Sequence, residues 1–484
     1  MLEADVPITP ASIFHVASIS KQFTAMSVLL LAHDGKLSLD DDIRRYIPEI
    51  PDYGHRITIR HLLTHTSGLR DQWDLLFLAR GRFEENRITE ADVLDIVSRQ
   101  RALNFDPGTE YIYSNTGYTL AGTIVARVSG KSLRQFADER IFKPLGMSHT
   151  HFHDDFTMVV KGRTFAYAPM PGGQWRFSIP NFDTYGATSL YTTVGDLLRW
   201  QENFRHPVVG DDALLREMQT SAVLANGDTT GYALGVTVGR DRGVRTVGHG
   251  GADAGYRSFT GRYPDKAFAI AVLCNAATAN PQALADSVSH LYLNLKATTT
   301  PPPPAMTPKP SPDELRRLAG LYVNPITGNM AYVSLKDADL IVGRTTGPAL
   351  VPIGPNRFWF PPQSAEWEFK PNGELVTRFV TASPPRHPVT VVRRDPSRLS
   401  RDALARYAGT YFSPELGATY MVAVADTALA LRTGTNKPQT VAPAYGDVFT
   451  GFALIEFTRD ASGAVNGFTV STGRVRKVRF EKSR

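Results

Sequence analysis

Three short polar motifs along the 484-residue chain carry side chains suited to acyl transfer. In the first, Ser18-Ile19-Ser20-Lys21, a hydroxyl and an amine stand three positions apart. Residues at that spacing share one face of a helix, and a serine becomes a nucleophile when a neighbouring base accepts its proton. The motif therefore predicts Ser18 as a nucleophile beside Lys21. Taken alone, such a motif is more often a serine that caps a helix.

The second motif is Tyr113-Ser114-Asn115, which follows a turn predicted at Asp106-Pro107-Gly108. Its tyrosine and asparagine can project two polar tips into one cleft. Tyrosine has an ordinary pKa near 10 and acts as a base only where cations stabilise its phenolate, a role that Lys21 can fill. The alternative is that Tyr113 belongs to the apolar core and Asn115 caps a helix.

The third motif is Gly248-His249-Gly250-Gly251-Ala252. Glycines let a ligand approach the backbone closely, and backbone N–H groups can then donate to a developing oxyanion. His249 could act on the Tyr113 hydroxyl or on a substrate carboxylate. The surrounding stretch, 244–275, is predicted as a strand, a glycine-rich turn, a strand and a further apolar strand. The alternative for His249 is a surface histidine in that turn.

The three motifs occur in the order S-x-x-K, Y-x-N and H-G-G, separated by 95 and 136 residues. In this combination the chain resembles the serine β-lactamase-like superfamily, in the branch of class C β-lactamases, serine DD-peptidases, D-aminopeptidases and esterases. The resemblance covers about residues 10–295 and includes the stretches 14–25, 61–69, 144–147 and 192–197. It implies an α+β fold, an α/β sandwich with a central antiparallel sheet and a helical subdomain.

By this resemblance, Ser18 would be the acylated nucleophile, with Lys21 and Tyr113 sharing the general-base work. Asn115 would bind both the substrate and Lys21. The remaining site residues belong to the third motif: His249 as a catalytic residue, and Gly250, Gly251 and Ala252 as substrate-binding residues. The backbone N–H groups of Ser18 and Ala252 would form the oxyanion hole. The resemblance implies neither a metal nor an organic cofactor.

His249 stands where many members of the superfamily have lysine, which removes a fixed positive charge at neutral pH. Binding of a β-lactam carboxylate is thereby disfavoured. A histidine at this position and the sequence of the stretch 67–73 both resemble the D-aminopeptidase type. The leading hypothesis is a serine hydrolase that acts through a covalent acyl-enzyme on small esters, amides or D-residue peptides. The alternatives are a β-lactamase or DD-carboxypeptidase and, from another class, a non-catalytic protein that binds peptidoglycan or a partner.

Helices must position the first two motifs. They are predicted at 18–33, at 117–129 and at 132–140, and Asp34-Gly35 is the predicted stop of the first. Members of the superfamily usually carry a helix and two strands before the nucleophile helix, but only 17 residues precede Ser18 here. The hydrolase domain, 1–297, is therefore expected without those elements.

The C-terminal part of the chain contains an internal repeat. A proline-rich linker is predicted at 298–310, because consecutive prolines favour an extended chain. Nine residues have identical partners 89 positions later, ending at Gly417: Ser311, Asp313, Leu315, Arg317, Ala319, Gly320, Tyr322, Pro325 and Gly328. Short alternating strands follow in each copy. We expect two small antiparallel β-barrel modules, 311–397 and 400–484, which the D-aminopeptidase type also has.

The composition argues against several other classes. The net charge is +6 without a long basic block, so nucleic acid is not an expected partner. No apolar stretch has the length of a membrane span, so no integral membrane segment is expected. The single cysteine, Cys274, lies in the apolar run 269–274, which predicts a buried strand and an inert thiol. The expected partner is a small-molecule ester or peptide substrate, and the sequence carries no signal for an oligomeric state.

The first residues of the chain lack the basic and apolar regions of a secretory signal. From the chain as given, this predicts a cytoplasmic protein. A periplasmic or secreted protein is expected instead if a further N-terminal segment belongs to it.

Overall fold

The structure is a computed structural model that describes residues 1–81, 86–296, 309–379 and 387–483. The chain divides into two units, 1–297 and 298–484. In the first unit, the described helices are α1 (Ser20–His33), α2 (Ile59–Leu63), α3 (Gln72–Arg80), α4 (Glu90–Ser98), α5 (Asn115–Ser129), α6 (Leu133–Ala137), α7 (Val194–Glu202), α8 (Asp212–Met218) and α9 (Pro281–Leu293). The described strands are β1 (Phe14–His15), β2 (Ile88–Thr89), β3 (His151–Phe152), β4 (Tyr167–Pro169), β5 (Trp175–Phe177), β6 (Phe182–Asp183), β7 (Leu190–Thr192), β8 (Thr237–Asp241), β9 (Val244–Asp253), β10 (Tyr256–Tyr263) and β11 (Phe268–Cys274).

The main sheet of the first unit is antiparallel, with the order β11-β10-β9-β8. The three strands predicted within 244–275 are confirmed, but the predicted position of the turn is wrong. Gly248 and Gly251 lie inside β9 and pair with β10, and the chain turns at Ala254 and Gly255. Glycines in a strand also mark a close approach of another backbone, and that is their role here.

Strand β11 is half-buried along all seven of its residues, which corrects the expectation of a buried strand. It lies at the edge of the described sheet, and an apolar run does not by itself reveal whether a strand is central or at an edge. Cys274 at its end is a free, half-buried thiol, and burial raises its pKa.

Helix α1 lies at the centre of the first unit, since every residue from Ser20 to Leu31 is buried. The helix predicted from residue 18 begins two residues later, after a 3-10 turn over Ala17–Ile19, called here the Ser18 turn. The predicted stop is confirmed, because Asp34 caps the C-terminus of the helix and is followed by a glycine.

The other two predicted helices are also present, with shifted ends. The helix predicted at 117–129 is α5, which begins at Asn115. The helix predicted at 132–140 is α6, whose last turns widen into a π-helical segment over Asp138–Phe142. No described helix is long and apolar enough to cross a membrane.

The second unit contains two eight-stranded antiparallel sheets, each preceded by a short helix, and it confirms the predicted barrel modules. The first set is α10 (Pro312–Leu318), β12 (Gly320–Val323), β13 (Met330–Lys336), β14 (Asp339–Val342), β15 (Val351–Gly354), β16 (Arg357–Phe360), β17 (Ala365–Phe369), β18 (Glu374–Phe379) and β19 (Val389–Arg394). The second set is α11 (Arg401–Ala405), β20 (Gly409–Ser413), β21 (Ala418–Ala425), β22 (Ala428–Thr433), β23 (Gln439–Tyr445), β24 (Val448–Gly451), β25 (Leu454–Arg459), β26 (Val465–Ser471) and β27 (Val478–Lys482).

The two sheets differ in how fully they close. The first has the order β14-β13-β12-β19-β18-β17-β16-β15, and the Leu350 N–H donates to the Leu340 carbonyl at 2.7 Å, which nearly joins its two ends. The second is a closed barrel of β20 to β27 in chain order. Of the predicted linker 298–310, only Lys309 and Pro310 lie within the described residues.

The internal repeat forms the same element in both barrels: the short helix and the start of the first strand, called here the serine-capped corner. Ser311 caps α10 and Ser400 caps α11 through their side chains. Tyr322 and Tyr411 each donate a hydroxyl hydrogen bond to the backbone carbonyl four residues earlier, at 2.8 and 2.7 Å. The recurring residues therefore build the helix-to-strand entry of each barrel.

Candidate active site

Ser18 lies in the turn that joins β1 to α1. Between Ile13 and Leu31, it is the only residue that is not buried. Ala17, immediately before it, has a φ of +48°, a left-handed conformation that costs free energy for a residue with a side chain. The Ala17 N–H donates to Nδ1 of the buried His15 at 3.2 Å, which holds this conformation. The Ser18 hydroxyl is thus presented from a strained and rigid turn.

Lys21 is fully buried one helical turn beyond Ser18. The hydrogen bonds of its Nζ include those to Ser18 Oγ at 3.0 Å, to Asn115 Oδ1 at 2.8 Å and to the Ala187 carbonyl at 2.6 Å. Two of these partners can only accept, so they fix the direction of two N–H bonds of Lys21. The third of these partners, the Ser18 hydroxyl, can accept from an ammonium group or donate to a neutral amine.

The second motif meets the first at Lys21. Asn115 is the first residue of α5, and Ser114 occupies the N-cap position, so the alternative of Asn115 as a helix cap is wrong. The Tyr113 ring centroid lies 5.0 Å from Lys21 Nζ. Its ring also packs 4.1 Å from that of the buried His65, whose Nδ1 accepts the Ser114 N–H at 3.1 Å. His65 thus holds the segment that carries Tyr113.

His249 is 6% exposed within β9, so the alternative of a surface histidine in a turn is wrong. Its Nδ1 lies 2.6 Å from the Gly250 carbonyl oxygen, which can only accept, so Nδ1 carries the proton. Nε2 then accepts from the Tyr232 hydroxyl at 3.0 Å. Burial, together with the nearby charge of Lys21, lowers the pKa of His249 to about 4. The ring is therefore neutral at pH 7, and both of its nitrogens are engaged away from Tyr113.

The glycines of the third motif bring β9 against the Ser18 turn. A Cβ on Gly251 would lie 2.2 Å from the Val16 carbonyl oxygen, so only glycine fits there. The hydroxyl of Ser258, which pairs with Gly251 across the sheet, donates to the same carbonyl at 2.9 Å. Gly250 and Ala252, on either side, are exposed. The first, second and third motifs are thus neighbours in space, and this strand borders the nucleophile turn.

Several residues of the site were not predicted from the sequence. Asp71 contacts Asn115, and Tyr232 contacts His249. A sequence signal for Tyr232 is its position between Gly231 and Gly235. In the structure Gly235 packs closely on α1, and a Cβ there would lie 2.7 Å from the Lys21 carbonyl oxygen. Ala187 contributes only a backbone carbonyl, for which no side-chain signal exists.

The geometry places a hydroxyl beside a buried amine and a glycine-containing strand against the same turn, an arrangement suited to acyl transfer through a serine. Among the described residues, no three His, Cys, Asp or Glu side chains are arranged to hold a metal ion. The β-lactamase family model matches residues 1–294, and the chain belongs to the β-lactamase family. The predicted superfamily and the predicted class, a serine hydrolase, are confirmed.

The chain is similar over most of its length to two curated proteins. It is 28% identical to penicillin-binding protein 4* of Bacillus subtilis over 401 residues, covering 77% of this chain and 86% of the relative. It is 25% identical to the D-aminopeptidase of Brucella canis over 509 residues, covering 99% and 91%. Among solved structures, the D-amino acid amidase of Ochrobactrum anthropi SV3 is similar with a TM-score of 0.51 and 26% identity, covering 60% of this chain and 89% of that one.

Proposed function

We propose that this protein hydrolyses small amides, esters or peptides with D-residues through an acyl-enzyme on Ser18. The observation that carries the proposal is the hydrogen-bonded group of Ser18, Lys21 and Asn115, in which a buried amine faces a partly exposed hydroxyl. The alternative of a non-catalytic binding protein has less support, because such a role does not require a buried amine directed at a serine.

Lys21 in its neutral form is the base for the first step. The Asn115 and Ala187 oxygens hold its two N–H bonds, so its lone pair faces the Ser18 hydroxyl. Ser18 Oγ attacks the substrate carbonyl carbon while its proton passes to Lys21 Nζ. The negative charge that develops on the carbonyl oxygen is stabilised by the backbone N–H groups of Ser18 and Ala252.

Tyr113 completes the reaction as a proton carrier. It protonates the leaving amine or alkoxide as the C–N or C–O bond breaks, and it recovers a proton from Lys21. A water molecule then attacks the acyl-enzyme, the proton transfers are repeated, and Ser18 and the acid product are released.

The neutral His249 supports substrates without a carboxylate at this end of the cleft. A β-lactam carries a carboxylate that a lysine at this position would attract, and the buried ring of His249 supplies no such charge at pH 7. The D-aminopeptidase of Brucella canis and the D-amino acid amidase of Ochrobactrum anthropi point to the same substrate class. A β-lactamase or DD-carboxypeptidase is therefore the less favoured alternative.

Labelling with a fluorophosphonate probe tests the proposal. The wild-type chain should gain the mass of one adduct, Ser18→Ala should gain none, and Ser27→Ala should still be labelled. Ser27 is a suitable control because it is buried in α1 and donates its hydroxyl to the Phe23 carbonyl at 2.8 Å. A folded wild-type chain that is not labelled would contradict the proposal. With substrates, faster turnover of nitrocefin than of p-nitrophenyl acetate or a D-alanine amide would favour the β-lactamase alternative.

A further inference from the structure

We propose that Asp71 is a positioning residue for the Ser18 nucleophile, acting through the amide of Asn115 on Lys21. The proposal rests on the proposed function of Ser18 as the acylated residue. Nothing in the sequence motifs assigns this role, since Asp71 lies 44 positions before Asn115 along the chain.

Asp71 is 0% exposed and accepts hydrogen bonds at both carboxylate oxygens. Oδ2 accepts from the Asn115 backbone N–H at 2.6 Å and from Asn115 Nδ2 at 2.9 Å. Oδ1 accepts from the Trp73 N–H at 3.0 Å, which caps α3. One buried carboxylate therefore joins the N-termini of α3 and α5, where a negative charge is favoured by both helix dipoles.

These contacts decide which way the Asn115 amide points. A carboxylate oxygen can only accept, so it must face the Nδ2 side of the amide. The Oδ1 side is thereby turned toward Lys21 Nζ, 2.8 Å away. With the amide reversed, two N–H groups would face the N–H bonds of Lys21. Asp71 thus keeps Lys21 in hydrogen-bond contact with Ser18.

The segment that carries Asp71 is itself fixed against α5. The Thr116 hydroxyl donates to the Arg70 carbonyl at 2.8 Å, beside the Asn115 contact. Asp71 therefore cannot be displaced without moving the first turn of α5, on which the position of Lys21 depends.

The charge of Asp71 also affects the pH dependence of labelling. Below a certain pH the general base is protonated and the rate falls, and this part of the pH–rate profile is called here the acid limb. The titratable groups near Lys21 include Tyr113 before α5, Tyr118 within α5 and His249 on β9. Burial raises the pKa of Tyr118 well above its ordinary value and lowers that of His249, so both are neutral near pH 7. A negative charge at Asp71 favours the protonated form of either Lys21 or Tyr113, so its removal should shift the acid limb of the rate to lower pH.

The test is the rate of fluorophosphonate labelling of the full chain as a function of pH. Asp71→Asn should label about 100-fold more slowly at pH 7, because a misplaced group loses about that factor. Its acid limb should move down by about half a pH unit or more. Asp71→Glu keeps the charge and should label slowly with the acid limb of the wild type. If Asp71→Asn does not fold, Asp71→Glu carries the test, and wild-type rates in that variant would overturn the proposal.

Two controls separate positioning from general stability. Asp196→Asn removes another buried carboxylate, which accepts from the His149 N–H at 2.9 Å and the Thr150 hydroxyl at 2.8 Å. It should lower the melting temperature without moving the acid limb. In an Asn115→Ala background, Asp71→Asn should slow labelling by a smaller factor than it does in the wild type, because the contact of Asp71 with the Asn115 side-chain amide is already absent.

The outcomes distinguish this proposal from the proposed function. If the wild type is labelled at Ser18 while Asp71→Asn has the wild-type rate and acid limb, the positioning role is wrong and the hydrolase stands. Independent effects of Asp71→Asn and Asn115→Ala would also overturn it. If the folded wild type is not labelled at Ser18, the proposed function fails, and this proposal fails with it.

Discussion

The candidate active site and the interior of the second barrel both contain buried side chains, but different forces hold them. Around Ser18, the buried groups are polar or ionisable, such as Lys21, Asp71 and His249, and each is held by directed hydrogen bonds. In the second barrel, aromatic rings fill the interior, and Phe468 is the centre of that cluster. Burying polar groups costs free energy unless their partners and protonation states are kept, whereas burying phenylalanine rings depends mainly on how well they fill the interior. The first region should therefore respond to pH and the second to cavities.

The largest expected effect is loss of the first unit in acid. Burial lowers the pKa of His15 to about 3 and that of His151, His153 and His249 to about 4. A depressed pKa means that the folded state resists protonation, so the stability that these histidines contribute is complete above about pH 6.5 and is lost as pH falls toward 4. The combined loss should reach about 5 kcal/mol or more, since each pKa unit is worth about 1.4 kcal/mol per group.

Hydrogen exchange measured by mass spectrometry between pH 7 and pH 4 checks this expectation region by region, after correction for the intrinsic exchange rates. Peptides from α1 and β7 should lose protection, while those from β20 to β27 should keep it. Equal loss in both regions would mean that acid sensitivity does not follow the buried histidines.

The next effect in size is a cavity in the second barrel. Phe468 is 1% exposed, and its ring centroid lies 4.6 Å from that of Phe480 and 4.8 Å from that of Tyr411. Phe468→Ala should lower the free energy of unfolding by about 3–5 kcal/mol. Phe412→Ala is the matched control, because Phe412 is on β20 of the same barrel and 43% exposed. Denaturant unfolding gives both values, and a change below about 1 kcal/mol in Phe468→Ala would contradict the packed interior.

The smallest effect concerns Glu90, a half-buried residue in the first turn of α4 whose carboxyl lies against two threonine hydroxyls. It accepts hydrogen bonds from the hydroxyls of Thr123 and Thr184, and burial raises its pKa to about 7. The folded state thus binds its proton more tightly than the unfolded state does. The stability it contributes is complete below about pH 4.5 and is lost as pH rises through 7.

Glu90→Gln cannot lose a proton, so it should be more stable than the wild type at pH 8 by about 1 kcal/mol, with no such gain at pH 5. The exposed Glu139→Gln is the control. Chemical denaturation at the two pH values measures the difference, and a gain that is the same at both would show that the ionisation of Glu90 is not its cause.

Local spacing was enough to predict the contact within the first motif and, to within two residues, the start of α1. The Ser18–Lys21 pair follows from a helical repeat, and the barrel entries follow from a repeated serine, leucine and tyrosine pattern. The contact of Asn115 with Lys21 was expected from the superfamily resemblance, whereas the placement of Lys21 near Tyr113 was also expected from the need for a cation beside a tyrosine that acts as a base. The site therefore needed both kinds of information.

What the sequence could not predict depends on contacts between distant segments. The Ala187 carbonyl that accepts from Lys21 lies 166 positions away and belongs to a residue without a polar side chain. Asp71 has the local pattern of a helix cap, and only its complete burial against α5 reveals the second contact. The orientation of His249 is set by its hydrogen bonds to Gly250 and Tyr232, which composition and spacing do not encode.

The serine-capped corner shared by the two barrels, a short helix followed by the first strand, has a consequence for how the second unit can diversify. The residues that recur at the 89-residue interval are those of the serine-capped entry and some interior positions, such as Leu340 and Leu429, Phe360 and Phe449, and Phe379 and Phe468. A duplicated segment has therefore kept its entry and part of its interior. Such a corner allows whole modules to be exchanged or added at Ser311 or Ser400, because each brings its own interior behind a common start.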